Sequence, residues 1–350
     1  MKTEHILIIR FSAMGDVAMT VPVVQALARQ YPHLRITFLS RPFARPFFEG
    51  LAPNVGFMAA DIKNEYSGIR GLNALYKRIA AKNITAVADL HDVLRSSYLR
   101  FRFNLARYRV EHIDKHRTQR QRLVATAHKV MKPLPTAFQN YADVFAKLGY
   151  PVKLDFTSIF SPQGGNIRIL PPEIGTKKAF QEWIGVAPFA AHKQKVYPPE
   201  MLEKMITMLT KEHPSCRVFI FGKGPLEDPI INGIVSRNPQ CINASAVLNG
   251  ISQELVLMSH LDVMVSMDSA NMHFASLVNT PVVSIWGATH PYAGFMGWGQ
   301  NEHNAVQIDL ACRPCSIFGN KLCLRGDLAC MRNISPEMVY ERVKQVLNKK

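Results

Sequence analysis

Four consecutive apolar residues at 6–9 read as a short buried strand, and the stretch 16–31 sets Val17, Val21, Val24, Leu27 and Ala28 at the spacing of one helix face. A strand-like run at 36–39, a helical stretch at 69–81 and a third β-like run at 84–90, carrying Asp89 and followed by His91, continue the alternation. Short, fully apolar strands between helices predict a parallel sheet covered on both faces. Residues 161–178, SPQGGNIRILPPEIGTKK, have linker composition. Beyond them the alternation restarts: strands at 183–187, 217–221, 261–266 and 282–286, and helices from about 199 to 213 and from near Ser269. The last stretch, SPEMVYERVKQVLNKK, predicts an amphipathic closing helix, with Ser335 as its cap and Pro336 at its first position. The expected fold class is therefore α/β: two Rossmann-like, doubly wound domains at 1–165 and 178–334 with a cleft between them, and a closing helix at 335–350. Ligands in such sheets bind at the carboxyl ends of the strands.

Composition narrows the classes. With 47% hydrophobic and 19% charged residues, the 350-residue chain is not a disordered one. No apolar run approaches the roughly 20 residues of a spanning helix, and the first residues lack the shape of a signal peptide, so a cytoplasmic protein is expected. Forty-two Lys and Arg against 26 Asp and Glu leave a net charge of +16, which calls for a polyanionic partner: nucleic acid, an anionic membrane surface, or a phosphorylated small or lipid substrate. Residues 95–132 concentrate that charge, with only Glu111 and Asp114 opposing a run of Lys and Arg. In a cytoplasmic setting the six cysteines read as free thiols or ligands. Four of them, Cys312, Cys315, Cys323 and Cys330, have roughly zinc-like spacing, so a structural zinc is one expectation and packed thiols the other.

Four segments following strands carry candidate chemistry. In RFSAMGDVAMTVP, at 10–22, Asp16 is either a helix N-cap or a carboxylate placed to take a proton from a substrate hydroxyl. In VSMDSANMHFASLVNTPVVSIWG, at 265–287, a turn at Asp268, Ser269 and Ala270 opens a helix carrying His273; its first N–H groups suit a diphosphate, while an ordinary cap and a buried histidine are the plain alternative. In APFAAHKQKVYPPE, at 187–200, a lysine following small residues suits a departing phosphate or simply faces water. FGKGPLED, at 221–228, is a glycine turn of low specificity.

Together with DLHDVLRSS at 89–97 and the C-terminal CRPC…CMRNISPE, these segments in this order resemble the family 9 glycosyltransferases, the heptosyltransferases of the lipopolysaccharide inner core. The resemblance implies the GT-B fold and inverting transfer of heptose from ADP-heptose to a lipid-linked sugar hydroxyl, with no metal ion or other cofactor required. It makes Asp16 the general base and Lys195 the cation that offsets diphosphate charge, the two meeting across the cleft. Gly15, Gly222, Glu227, Asp268, Ser269, Ala270 and His273 become donor contacts. Ser12 and Arg95 become acceptor contacts, joined by Arg117, Arg120 and Arg122 from the basic stretch, which is also expected to hold the protein at the cytoplasmic face of the inner membrane. The sequence departs from the family pattern at Ala190 and Ala191, where hydroxyl residues are common, and in the acidic residue displaced to Glu227 or Asp228. The competing expectations are a GT-B transferase using another nucleotide sugar, or a non-catalytic protein binding a polyanion or nucleic acid. The basic stretch lacks interleaved aromatics and any nucleic-acid motif, so no nucleic-acid partner is expected.

Overall fold

Strand β1, His5–Ile9, is buried along its whole length at the centre of a parallel sheet, the position that an apolar run with no polar face demands. The computed structural model describes residues 4–349. They form two compact units: residues up to Lys115 together with Pro135–Phe156, and His116–Leu134 together with the chain from Thr157 onward.

In the first unit β1 is followed by α1 (Met14–Ala18), α2 (Val21–Gln30), β2 (Arg35–Ser40), α3 (Arg45–Phe48), β3 (Val55–Ala59), α4 (Gly68–Ala80), β4 (Ala86–Asp89), α5 (Leu94–Leu105) and β5 (Arg109–His112). Helix α6 (Arg117–Leu123) belongs to the second unit and α7 (Ala137–Lys147) returns to the first. The strand order is β3-β2-β1-β4-β5, all parallel, with Ile9 in register with both Leu39 and Asp89. The residues just past these three, Arg10, Ser40 and Leu90, therefore gather at the carboxyl end of the sheet. The inward faces of α4 (Leu75, Ile79) and α5 (Leu99, Phe103) pack on Leu7, Ile9, Leu39 and Val87, so these two helices form one outer layer.

The second unit runs β6 (Trp183–Ala187), α8 (Pro199–Glu212), β7 (Arg217–Ile220), α9 (Asp228–Arg237), β8 (Cys241–Asn243), α10 (Ala244–Val247), α11 (Ile251–Ser259), β9 (Val263–Met267), α12 (Ala270–Leu277), β10 (Val282–Ile285), β11 (Ala305–Val306), α13 (Ala329–Arg332) and α14 (Pro336–Leu347). Its parallel sheet has the order β11-β10-β9-β6-β7-β8. Ser335 accepts the Met338 N–H as the cap of α14, whose Val339, Tyr340 and Val343 join the core formed with Leu202, Val265 and Ile285. Two parallel α/β sheets are what the pattern of apolar runs predicts.

The differences are local. The helical stretch at 16–31 is two helices, because Pro22 starts α2 near its N-terminus. Strands β8 and β11, of three and two residues, and the half-exposed edge strand β5 carry no apolar run for a pattern to detect. The linker-like stretch holds two 3-10 turns, Ile167–Ile169 and Pro172–Ile174.

Candidate active site

In the first unit the chain leaves β1 through Arg10, Phe11 and Ser12 and enters α1, whose N-cap is Ala13 rather than Asp16. Asp16 lies at the third helical position, and its Oδ2 accepts the Ala13 N–H at 3.1 Å. Its other oxygen, Oδ1, is 2.9 Å from Nη2 of Arg10, a side chain that is nearly buried while the Asp16 carboxylate stays partly exposed. Arg10 also donates to the Leu90 carbonyl and lies over the Tyr141 ring. Burial works against its charge, but Tyr141, Asp16 and Asp89 outweigh it and hold the guanidinium protonated. The arrangement thus fixes a carboxylate by both oxygens at the carboxyl end of the central strand while leaving lone pairs facing outward.

His91, just past β4, completes this corner. Phe11 donates its N–H toward Nδ1 at 3.5 Å, which leaves the proton on Nε2 to be given to Ser12 Oγ at 3.3 Å. Burial, reinforced by the positive charges of Arg10 and Lys115, pulls the imidazole down to about 3, so it is neutral at physiological pH. Below it, buried Asp89 accepts the N–H groups of His91 and Asp92, and Arg100 bridges Asp89 and Asp92 at 3.3 and 3.2 Å. Gly15 is the second residue of α1, and Arg95 is exposed in the first turn of α5. Sequence reasoning did not single out Arg10 or His91 as site residues. Both lie inside quoted motifs, but only the alignment of β1 with β4 brings them together.

The second unit gathers most of the expected donor residues at the carboxyl end of β9. Asp268 follows the strand, Ser269 is the N-cap of α12, Ala270 is its first residue, and His273 is buried one turn on. Lys195 Nζ lies 3.3 Å from Asp268 Oδ2, which also accepts the Thr289 hydroxyl at 2.9 Å. Thr289 is a third member of this cluster that sequence reasoning missed. The aliphatic stem of Lys195 lies so close to Gly319 (φ +77°) that a Cβ there would meet Lys195 Cγ at 2.5 Å.

Nearby chain segments resolve the displaced acidic residue. Gly222 gives its N–H to Ser245 Oγ, and Glu227 Oε2 lies 3.1 Å from where a Gly222 Cβ would stand. Asp228 is committed to the Gly224 N–H at 3.1 Å, so Glu227 is the carboxylate that faces the glycine. Burial raises Glu227, and it raises Glu254 further along the chain, where Lys223 opposes it.

The basic stretch behaves differently from a simple solvated face. Helix α6, carrying Arg117, Arg120 and Arg122, clusters with the second unit. The Arg120 guanidinium lies over the rings of Phe295 and Phe318 at 5.0 and 5.7 Å. Lys129 donates to the carbonyls of Ala311 and Pro314.

The structural zinc expected from cysteine spacing finds no support. Cys312, Cys315, Cys323 and Cys330 line one cavity of about 660 Å³, but among the described residues no group of three or more His, Cys, Asp or Glu is disposed to hold a metal ion. Cys330 belongs to the apolar core, where burial pushes its thiol up to about 11, and burial likewise raises Cys315. All four are free cysteines, Cys330 buried and Cys312, Cys315 and Cys323 partly exposed.

With this geometry in view, similarity to known proteins is informative. The family model described as glycosyltransferase family 9 (heptosyltransferase) matches residues 72–322. Lipooligosaccharide heptosyltransferase 2 of Campylobacter jejuni is 28% identical over 133 residues, which cover 37% of this chain and only 40% of that protein's length. The Haemophilus influenzae enzyme of the same name is 22% identical over 99% of this chain and 100% of its own. Among solved structures, Escherichia coli heptosyltransferase WaaC with ADP superposes at a TM-score of 0.68, with 16% identity over 98% of this chain and 99% of that one. At that identity the superposition speaks for the fold alone, and the expected GT-B class is borne out.

Proposed function

Because the chain belongs to glycosyltransferase family 9, we propose that it is an inverting heptosyltransferase, transferring heptose from ADP-heptose to the lipopolysaccharide inner core. Asp16 takes the proton of the acceptor hydroxyl. The freed oxygen pair forms the new bond at the anomeric carbon on the face opposite the nucleotide, and the bond between that carbon and the diphosphate oxygen breaks with its electrons leaving on ADP. Lys195 and the N–H groups at the start of α12 offset the charge that develops on the diphosphate, so no metal ion is called for. Asp268, held by Thr289, keeps the Lys195 ammonium at that helix start, and Glu227, beside Gly222, accepts donor hydroxyls. His91 presents Ser12 to the acceptor. Arg95 on α5, and Arg117 and Arg122 on α6, meet its phosphates and carboxylates, with Arg120 anchoring α6.

The observation that carries this reading is the Asp16 carboxylate held by Arg10 and the Ala13 N–H while still open to solvent. Ala190 and Ala191 in place of hydroxyls favour one other reading, a GT-B transferase with a different nucleotide sugar. A transfer assay offering ADP-heptose and UDP-sugars against truncated core acceptors decides between them. Turnover with ADP-heptose alone supports the proposal; turnover with a UDP-sugar alone, or thermal stabilisation by oligonucleotides and no sugar nucleotide, defeats it. Among the described residues no helix is long and apolar enough to cross a membrane, so we propose that a lipid-linked acceptor is reached by peripheral association at the cytoplasmic face of the inner membrane.

A further inference from the structure

Helices α4 and α5 turn one face inward onto the sheet, and residues of the opposite face are exposed. On α5 that outer face is apolar: Leu94 is 89% exposed, Phe101 61% and Leu105 71%. Residues seven and eleven positions apart fall within about 40° of arc on an α-helix, so the three form one stripe along the helix. Ile69, 67% exposed in the first turn of α4, extends the apolar surface to the neighbouring helix. The two helices touch through Tyr98 and Arg102, which both donate to Asn73. Single exposed apolar residues are ordinary, but four large ones on two adjoining helices are not.

The charge on the same layer says what would cover it. Helices α4 and α5 contain Arg70, Lys77, Arg78, Arg95, Arg100 and Arg102 and not one Asp or Glu. Asp92, the nearest preceding carboxylate of α5, is engaged by Arg100. Arg70, Lys77 and Arg95 are exposed beside the apolar stripe. A second copy of this face would bring cations against cations. An anionic bilayer instead accepts large apolar side chains below its headgroups and cations among them, which is the pattern of a helix lying in a membrane interface. Ile69 and Leu94 open their helices at the carboxyl end of the sheet, the end that carries Asp16.

We propose that the outer face of α4 and α5 is the membrane-docking surface of this protein and that its occupant is an anionic phospholipid bilayer. This names the surface for the peripheral association advanced above and rests on that reading for its purpose, though not for its chemistry. Phe101 and Leu105 supply the insertion and Arg70 and Lys77 the attraction to headgroups.

The test is co-sedimentation of the full chain with phosphatidylglycerol-containing vesicles and with pure phosphatidylcholine vesicles, at low and high salt. The wild type should bind the anionic vesicles and release as salt rises. Phe101→Ser with Leu105→Ser should weaken that binding at least tenfold, and Lys77→Glu with Arg70→Glu should do likewise, while circular dichroism and melting temperature stay unchanged because all four side chains point to solvent. Transfer to a soluble, truncated acceptor should be unaffected. Equal binding by wild type and both variants, no binding by the wild type, or a dimer in ultracentrifugation that the variants dissolve without altering vesicle binding would overturn the assignment. If vesicle binding follows the prediction but no sugar nucleotide is ever turned over, the docking surface stands and the proposed reaction falls.

Discussion

Arg10 Nη2 lies 2.9 Å from Asp16 Oδ1, six residues apart in sequence and joined across the turn from β1 into α1. Arg10 is held in turn by the Leu90 carbonyl and the Tyr141 ring, so three separate parts of the chain converge on the orientation of one carboxylate.

Asp16→Asn should keep the fold and donor binding, since the amide oxygen can still accept the Ala13 N–H or the Arg10 fork, yet lower transfer by about 10²–10⁴, the usual contribution of a positioned base. Donor-induced thermal stabilisation together with single-turnover rates checks both halves of this expectation. Near-normal turnover would remove Asp16 from the role.

Arg10→Lys preserves charge but not the planar fork, so its effect separates positioning from mere neutralisation. We expect a fall in kcat with little change in donor KM, and a stability loss of about 1–3 kcal/mol for the weakened charge-assisted bonds. Chemical denaturation and steady-state kinetics on the same preparation measure the two.

His91 sets an acid limit. Its value falls from the ordinary 6.5 to about 3 in the folded protein, so below pH 6.5 the unfolded chain binds a proton that the folded one refuses. Stability is therefore complete above about 6.5 and declines as pH drops toward 3, by about 2 kcal/mol at pH 5. His91→Gln, which keeps a donor and an acceptor but does not titrate, should flatten that part of the profile in denaturation measured at pH 7.5 and 5. An unchanged slope would show that other groups control it.

Gly319→Ala should disturb Lys195 as well as the backbone. Gly326 offers the control, because it has a similar φ of +76° but nothing within 4 Å of an added Cβ. Gly326→Ala should cost about 1 kcal/mol of backbone strain and leave transfer intact. Gly319→Ala should add a clear loss of kcat, because the Lys195 stem must move. Equal effects of the two on turnover would dissociate this loop from the lysine.

Arg120→Ala should lower stability by about 0.5–2 kcal/mol through its two ring contacts, whereas Arg117→Glu and Arg122→Glu should raise acceptor KM, with no shift in melting temperature for Arg122→Glu. Acceptor titrations and thermal melts of the three variants separate the anchor from the contacts.

Legibility in the sequence followed locality. The strands β1, β6, β9 and β10, the cap of α14 and the motif segments that carry Asp16, Lys195 and Asp268 could all be read from residues within a few positions of one another, because burial on both faces and helix periodicity imprint themselves on consecutive side chains. Edge strands β8 and β11 could not, since so few residues bear no period.

What the sequence by itself determined is the alternating α/β order, the two-sheet class and the family to which the motifs point. What only the tertiary structure decided is who touches those motifs: Arg10 and His91 around Asp16, Thr289 and Gly319 around Lys195, Arg120 on Phe295 and Phe318, and four cysteines that share a cavity without forming a ligand set. Apart from the Arg10–Asp16 pair and the cysteines, these contacts join residues far apart along the chain, and strand register and side-chain packing, which no local pattern encodes, set their distances.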